Sequence, residues 1–514
     1  MAVELTSAPS FPQSLYRPLQ YVYTSAPPTP VAVTFIRVAN SSDVSSFPTL
    51  IEGESILVEH SALTGTAVGQ HVVLSSTGDW SGVRKITEVL DSTHTVLDGG
   101  SYADYSSGGT IGIYRNNHRF VVYLWHDDTE TTPRVSFKVT PNESGVATFS
   151  INTGLKSRKF IDPDGSLLHS VVTANLTSSG FISTEYLSSV IFRIQVLEGY
   201  DVPTNGINEW TLFGAWDPES GTPRCAVNGV HPYDHDYPSE ANAQLDWAQP
   251  RMIDYVLNAD PVARFLTYGP RAGLRKMAPT EAGRLVVLLS SENDFEGGEE
   301  YRVVLYGYDA SGIPTNIGSS DVFTIPANVS SFAIPTGPAE LTTLVVPDFP
   351  IANYASYAVQ IAVGASGGAV TEFIRFTYDP KCSEARRRFH WLNKLGGIDD
   401  VALTKREVAS TKVKRSTLSK PYAAGTGYDF RQRVYRTDPA RAFTITSEPI
   451  KPAVRRWLVE DLLEAAAVLT TNGGARLSPV IITTDALDAF STEDKKAPLS
   501  FQFQLGVDNL SQEA

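Results

Sequence analysis

Short runs of alternating apolar and polar residues, separated by turn-forming segments, make up most of the chain. Runs such as RFVVYLWHD, RVSFKVTP and VIFRIQVLEGY alternate with a period of two, so one face of each predicted strand meets a core and the other meets water. The pattern predicts a mainly β protein. We expect a multidomain chain of antiparallel β-sandwich and small β-barrel modules with one C-terminal α-helix.

The predicted strands group into segments with different textures. Residues 1–55 are an N-terminal arm with the first strands. Residues 56–114 carry short β-branched runs separated by TGDWSG, DSTH and DGGSYADYSSGG, which predicts a small β-barrel. Residues 115–274 are a β-sandwich-like body with a long irregular segment. Residues 275–378 carry about seven strands with regular turn signals, the pattern of an immunoglobulin-like β-sandwich.

The last segment, residues 379–514, is predicted to be an α+β domain with a basic surface. One helix is predicted over Ala453–Leu469, because apolar residues recur there at helical spacing and TTNGG suits a helix C-terminus. Glu460, Asp461 and Glu464 are expected to lie largely away from its apolar face. Two strands, PVIITTD and LSFQFQLGV, follow the helix.

The composition is that of a large globular protein. The chain has 514 residues, of which 42% are hydrophobic and 19% charged, with a net charge of −14. Its two cysteines exclude a disulfide-rich scaffold and a zinc site built from several thiolates. The N-terminus does not have the pattern of a signal peptide, and no apolar run is long enough to span a bilayer. We expect synthesis in a cytoplasm and no membrane span.

Charge is distributed unevenly along the chain. Between Lys381 and Arg456 there are 18 Lys and Arg against 7 Asp and Glu, so this stretch is about +11 and the remainder about −25. The absence of a groove-reading helix makes nucleic acid an unexpected partner. An acidic body and a basic end favour contacts between subunits. The candidate interface residues are Arg386, Arg387, Arg388, Lys405 and Arg406.

The chain carries none of the common catalytic or phosphate-binding signatures. GxGxxG, GxxxxGK[ST], GxSxG, HExxH and EF-hand loops are all missing from the sequence. Residues 231–236 (HPYDHD), residues 126–128 (HDD) and the acidic loop 292–300 read as polar loops, with a metal site as the alternative. No pair of carboxylates can be favoured for glycoside hydrolysis. We predict no catalytic residue, no metal and no cofactor.

One segment differs from the rest of the chain: a cysteine, a short gap and RRRFHWLNKLGGID. Its tryptophan and leucines supply apolar area, its Gly-Gly pair permits positive φ, and Asn393 or Asp399 can satisfy turn amides. These features predict a strand–turn–strand corner with a structural role. The motif residues are Cys382, Trp391, Leu392, Asn393, Leu395, Gly396, Gly397 and Asp399.

This segment resembles a C, short gap, (F/H)-W-L-N-x-L-G-G-(W/I)-D signature in virion proteins of tailed phages and prophages of Bacteroidetes-type bacteria. The segment Trp457–Leu463 is similar to their xWLxxLL helix, and Phe265–Thr267 with Pro270–Arg271 match their FLT…PR pattern. The resemblance is best over residues 260–514 and more general over residues 56–160. It implies an assembly role in a virion.

Three functions fit the sequence. The first is a non-enzymatic virion component at the tail tip, baseplate or neck, which assembles in the host cytoplasm with copies of itself and other virion proteins. The second is a receptor-binding or glycan-binding protein at the tail end, which would use exposed aromatic rings on a host surface glycan. The third is a β-rich polysaccharide-degrading enzyme. The missing fibre repeats and the missing acid pair favour the first.

Overall fold

A computed structural model of the chain confirms the mainly β architecture. Strands are the main element of its described residues, and most strand pairs are antiparallel. The described residues are 4–7, 13–14, 20–24, 31–38, 55–61, 63, 68–75, 77, 81–98, 105–106, 108–113, 115–125, 132–142, 145–155, 166–174, 180–184, 187–204, 207–213, 224–228, 252–257, 262–270, 275–289, 297–344, 353–380, 386–419, 432–472, 477–484, 496–506 and 512–513.

The chain folds into two compact units that differ from the predicted segments. The first unit contains residues 1–10, 18–154 and 193–222, and the second contains residues 11–17, 155–192 and 223–514. The predicted body, residues 115–274, therefore contributes to both units. Alternation along a strand shows which of its faces is buried, but not which other sheet packs against that face. The predicted segments therefore differ from the two observed units.

The first unit contains a small closed barrel. Its core is made of aliphatic side chains that include Val33, Ile36, Val58, Leu74 and Ile86. The barrel begins before the predicted residue 56, because a strand from the predicted N-terminal arm closes the ring. In order around the barrel its strands are Val31–Val38, Ser55–His60, His94–Asp98, Gly82–Val89, His71–Ser75 and Thr110–Ile113, with Tyr105–Ser106 pairing to the first.

The first unit also contains two antiparallel sheets. One contains Glu4–Ser7, Gln20–Thr24 and Val146–Ser150. The other contains Val135–Val139, Asn116–Trp125, the part of Ser189–Thr204 from Arg193 onward, and Ile207–Phe213. In the second unit, the first residues of Ser189–Thr204 pair with Arg224–Val227, which also pairs with Gln13–Ser14.

The second unit contains a β-sandwich in the predicted stretch 275–378. Its two sheets enclose a core with Leu285, Val303, Phe332 and Ile361. Residues 341–344, which lie in the stretch predicted to consist of strands, belong instead to a short helix. The larger sheet contains Lys276–Met277, Ile374–Tyr378, Ser356–Val363, Glu300–Tyr308, Pro314–Ser319 and Phe323–Thr324; the smaller contains Ile182–Ser183, Ser331–Pro335 and Arg284–Leu288; the helix is Pro338–Leu344.

An eight-stranded antiparallel sheet, here called the C-terminal sheet, forms the other part of the second unit. Both faces of the central part of this sheet are buried, and one of them lies beneath the C-terminal helix. In order its strands are Ile398–Leu403, Arg387–Leu392, Val468–Asn472, Leu477–Ile482, Ser500–Leu505, Gln432–Thr446 and Arg406–Ser419, with Gln512–Glu513 pairing to Gln432–Thr446.

The C-terminal helix is shorter than predicted. An α-helix spans Pro452–Trp457 and continues as one π-helical turn over Leu458–Leu462. Leu469 belongs instead to the strand Val468–Asn472. Its position fits the helical spacing of the preceding apolar residues, which is why the predicted helix extends too far. The remaining helices among the described residues are Asn152–Leu155, Ser166–Thr173 and a 3-10 turn at Met252–Tyr255.

Candidate functional site

The predicted strand–turn–strand corner is confirmed. Arg387–Leu392 pairs antiparallel with Ile398–Leu403, and residues 393–397 connect the two strands. Phe389 and Trp391 pack into the core beneath the C-terminal helix, while Leu395 and Ile398 pack into the core on the other face of the sheet. We call residues 387–403 the motif hairpin. It contributes apolar side chains to both cores of the C-terminal sheet.

Asn393 fixes the conformation of the turn. Its Oδ1 accepts hydrogen bonds from the backbone amides of Leu395 (3.0 Å) and Gly397 (2.9 Å). Its Nδ2 donates to the carbonyl of Leu266 (2.8 Å) and to Asp399 (3.0 Å). One buried amide side chain thus satisfies turn amides, as predicted, and ties the turn to a neighbouring segment.

The two glycines of the turn are required for different reasons. Gly396 has a φ of +82°, which a side chain rarely adopts. Gly397 lies against the neighbouring segment: a Cβ on it would overlap the carbonyl oxygen of Leu266. The sequence indicated that the pair permits positive φ. The approach of Gly397 to Leu266 is a tertiary contact, which the sequence does not reveal.

We expect Gly397→Ala to destabilise the second unit by several kcal/mol, because the added methyl meets backbone that cannot move away cheaply. The matched control is Gly368→Ala, where a Cβ would meet nothing within 4 Å and φ is not in the left-handed range. Chemical denaturation of both variants measures the difference. Equal stability of the two variants would show that this close approach is not required.

Trp391 connects the motif hairpin to the C-terminal helix. Its ring is fully buried and lies 5.4 Å from the ring of Trp457. Its Nε1 donates to Asp461 Oδ2 (3.0 Å), and the backbone amide of Lys394 donates to Asp461 Oδ1 (2.9 Å). The sequence placed Asp461 away from the core; it is instead buried as the acceptor for these two donors. Burial and the nearby carboxylate of Asp399 raise the pKa of Asp461 to about 7.

Asp399 binds side chains and not the turn amides that the sequence suggested. It is fully buried and accepts hydrogen bonds from Thr267, from Arg275 Nη2 (3.0 Å) and from Asn393. Thr267 belongs to the FLT run, so two segments that are far apart in the sequence meet at one carboxylate. The sequence contained both segments but no indication that they touch.

The prediction that Arg386, Arg387 and Arg388 form an exposed basic interface is wrong. All three side chains are buried, at 4%, 4% and 1% exposure, and each has carboxylate partners in the same chain. Arg386 binds Glu281 through Nε and Nη2, both at 2.7 Å. Arg387 binds Glu407 in the same bidentate manner. Such pairs hold elements together and leave no free charge for a partner.

The buried arginines belong to a larger ion-pair cluster. Arg388 contacts Asp400 and also Glu281 (3.0 Å), both of which are buried or nearly so. Arg284, fully buried, binds Glu340 and donates to carbonyl oxygens at the end of helix Ser166–Thr173. The cluster joins the sandwich to the C-terminal sheet. We call it the arginine cluster: Arg284, Glu340, Glu281, Arg386, Arg388, Asp379 and Asp400.

The charges in the cluster shift the pKa values of their neighbours. Burial alone would raise the pKa of Glu281, but the guanidinium groups of Arg388 and Arg386 outweigh it and lower this pKa to about 2. Burial, together with Arg388 and Arg284, holds the pKa of His390 well below its usual value. His390 is therefore a neutral imidazole inside the fold.

Glu281 is expected to make the second unit sensitive to acid. Its pKa is about 2 in the folded chain and 4.5 in the reference state, so its ionised form stabilises fully above pH 4.5 and this contribution is lost as the pH falls toward 2. We therefore expect the stability difference between the wild type and Glu281→Gln to shrink between about pH 6 and about pH 3. Denaturant unfolding at both pH values measures it. A difference independent of pH would contradict the assigned ion pairs.

A long two-stranded ribbon extends the C-terminal sheet at its edge. Arg406–Ser419 pairs with Gln432–Thr446 along its whole length, whereas Ser500–Leu505 pairs with the second strand only over Phe443–Thr446. We call the two long strands the basic ribbon. Its sequence holds seven Lys and Arg against two acidic residues, a formal charge of +5. The charge of this stretch is evident from the sequence, whereas its two long strands were not predicted.

The basic ribbon exposes charged and apolar side chains together. Lys405 and Arg406, predicted as interface residues, are exposed at its base. Lys412, Lys414 and Arg415 are exposed farther along, and the described residues show no ion pair for them. The large apolar side chains of the ribbon that are 38% to 54% exposed are Val408, Val413, Leu418, Val434 and Tyr435.

Several predicted features lie outside the described residues. These are Cys382 of the motif, the polar loops 126–128 and 231–236, and residues 292–296 of the acidic loop. Elsewhere in the described ranges, no three His, Cys, Asp or Glu side chains are arranged to hold a metal ion. The helices in those same ranges are too short or too polar to cross a membrane.

Comparisons with known proteins leave the family open. No protein-family model matches the chain, and no curated protein matches it. Among solved structures, the chain is similar to the crystal structure of chicken CNTN1 FN1-FN3 domains. That alignment covers 68% of this chain and 99% of the other, with 9% sequence identity and a TM-score of 0.13.

Proposed function

We propose that the chain is a non-enzymatic structural subunit of a bacteriophage virion, a tail-tip, baseplate or neck component that assembles with copies of itself. The observation that carries this proposal is the basic ribbon on an acidic chain. A two-stranded ribbon is marginally stable in water by itself, so one with exposed apolar and cationic side chains is suited to contact another molecule.

The motif hairpin supports a structural role. Trp391, Asn393, Asp399 and the glycine pair are all engaged in packing or internal hydrogen bonds. Their arrangement builds a junction between the sandwich and the C-terminal sheet. The residues that resemble phage virion proteins are thus those that shape the second unit. We assign the sandwich to the immunoglobulin-like class within this proposal.

The charge balance supports assembly between copies. The two strands of the basic ribbon carry +5, while the rest of the chain carries −19. Opposite charges on two parts of one subunit attract neighbouring subunits and set their orientation. In this proposal the protein is made in the host cytoplasm and becomes part of the virion, where other virion proteins are its further partners.

Light scattering and negative-stain electron microscopy of the purified chain test the proposal. We expect a defined oligomer, seen as rings, short stacks or closed particles, that dissociates on dilution. A monodisperse monomer across the accessible concentration range would contradict self-assembly. Glycan binding by that monomer would then favour the receptor-binding alternative.

A further inference from the structure

Two sheet edges of the second unit lack a further strand among the described residues and differ in charge. The first is the outer edge of Arg406–Ser419, which within the described residues pairs only with Gln432–Thr446. The second is the sandwich edge formed by Pro314–Ser319 and Phe323–Thr324, both of which pair on one side with Glu300–Tyr308. An open edge presents unpaired backbone donors and acceptors and readily takes up another strand.

The sandwich edge complements the basic ribbon in charge and in apolar character. Asp321 is exposed between the two strands of this edge, and Glu300 is exposed on the neighbouring strand, opposite Thr324; the described structure shows no ion pair for either. Ile313 (62% exposed) and Val322 (37%) flank its strand, so apolar surface is available next to the acidic side chains.

Pairing of two ribbon edges with each other is disfavoured by charge. An antiparallel arrangement centred on Val413 would place Lys412 of one copy opposite Lys414 of the other, and Arg415 would lie close by. Like charges directly opposite each other destabilise paired strands. The ribbon edge is therefore suited to a different, acidic edge.

We infer that the basic ribbon of one subunit docks along the acidic sandwich edge of a second copy of the chain. This inference rests on the proposed self-assembly and specifies its contact. The interface joins two different surfaces, so it is head-to-tail and generates a ring when the rotation closes or a stack when it does not.

Charge exchange between the two edges tests this contact. The ribbon variant is Lys412→Glu/Lys414→Glu/Arg415→Glu, and the sandwich variant is Glu300→Lys/Asp321→Lys. Each is expected to weaken assembly by about tenfold or more, because like charges then face each other. One chain carrying all five substitutions is expected to assemble again, since attraction is restored with the signs exchanged.

The control is Lys85→Glu/Lys451→Glu/Lys496→Glu, which changes the net charge as much as the ribbon variant does but at exposed sites elsewhere. It should assemble like the wild type. If a reversed chain folds poorly by circular dichroism, the milder Lys412→Gln/Lys414→Gln/Arg415→Gln replaces it and should still weaken assembly.

The outcomes separate this inference from the proposed function. If the wild type assembles and the ribbon variant assembles equally well, the docking contact is wrong but self-assembly stands. The same holds if the wild type assembles and the chain with all five substitutions stays dissociated. A wild type that stays monomeric overturns self-assembly and the contact with it. Loss of assembly in both single-edge variants and recovery in the combined chain supports the contact.

Discussion

Replacing Trp391 with alanine is expected to lower the free energy of unfolding of the second unit by about 3–5 kcal/mol. The ring is fully buried in the core beneath the C-terminal helix and contacts Trp457, so truncation leaves a large cavity. The change also removes the indole donor to the buried carboxyl group of Asp461. Denaturant unfolding followed by Trp fluorescence and circular dichroism measures the loss.

Two comparison variants separate packing from hydrogen bonding. Trp391→Phe keeps most of the apolar volume, so its loss in free energy of unfolding measures the effect of the missing indole donor. We expect about 1–3 kcal/mol, because the buried carboxyl group of Asp461 then lacks this hydrogen bond. Phe373→Ala removes an aromatic ring that is 53% exposed and should change stability by about 0.5 kcal/mol or less. A Trp391→Ala chain as stable as wild type would remove the structural role of the motif.

Replacing Arg388 with methionine is expected to cost about 3–5 kcal/mol, because the change leaves the buried Asp400 without its cation and removes one of the two arginines that bind Glu281. Arg388 is 1% exposed and contacts both Asp400 and Glu281. The matched control is Arg456→Met, which breaks an exposed pair with Glu460 and should cost about 0–1 kcal/mol. The free energies of unfolding of the two variants are compared with that of the wild type.

A folded and stable Arg388→Met chain with weakened assembly would restore the sequence-based interpretation of this arginine as an interface residue. The structure predicts the opposite order of effects: folding is lost first, and any change in assembly follows from it. Because the buried Asp400 loses its arginine partner in the variant, Asp400→Asn in the same chain should recover part of the stability.

The local parts of the fold could be predicted from the sequence. The turn at Gly396 follows from its chemistry, and the alternating runs became strands in the barrel and the sandwich. The strand Arg284–Leu288 shows where alternation gives less information. Its successive side chains enter two different cores, so it reads as a continuous apolar run.

The contacts that define the candidate site could not be predicted in the same way. The partner of Arg386 is Glu281, 105 positions earlier, and the acceptor for Trp391 is Asp461, 70 positions later. No local pattern marks either pair, because any acidic residue in the chain could have served. The run of three arginines therefore looked like a solvated basic surface, although tertiary contacts neutralise it.

The basic ribbon was missed for a different reason. Polar residues occur on both faces of its strands, since neither face of the outer part meets a core. The signal that was present is the β-branched content of VASTKVKRSTL, which favours a strand even where hydrophobic alternation is weak. The charge count marked the stretch that contains the ribbon, but the three consecutive arginines that it favoured are buried.

The mass of the purified chain as a function of salt tests the central claim most directly, because that claim is that exposed opposite charges join copies of this subunit. We expect a multiple of 55.9 kDa at about 50 mM salt and a shift toward the monomer at about 500 mM. A monomer at low salt, or an oligomer whose mass does not change with salt, would contradict the account.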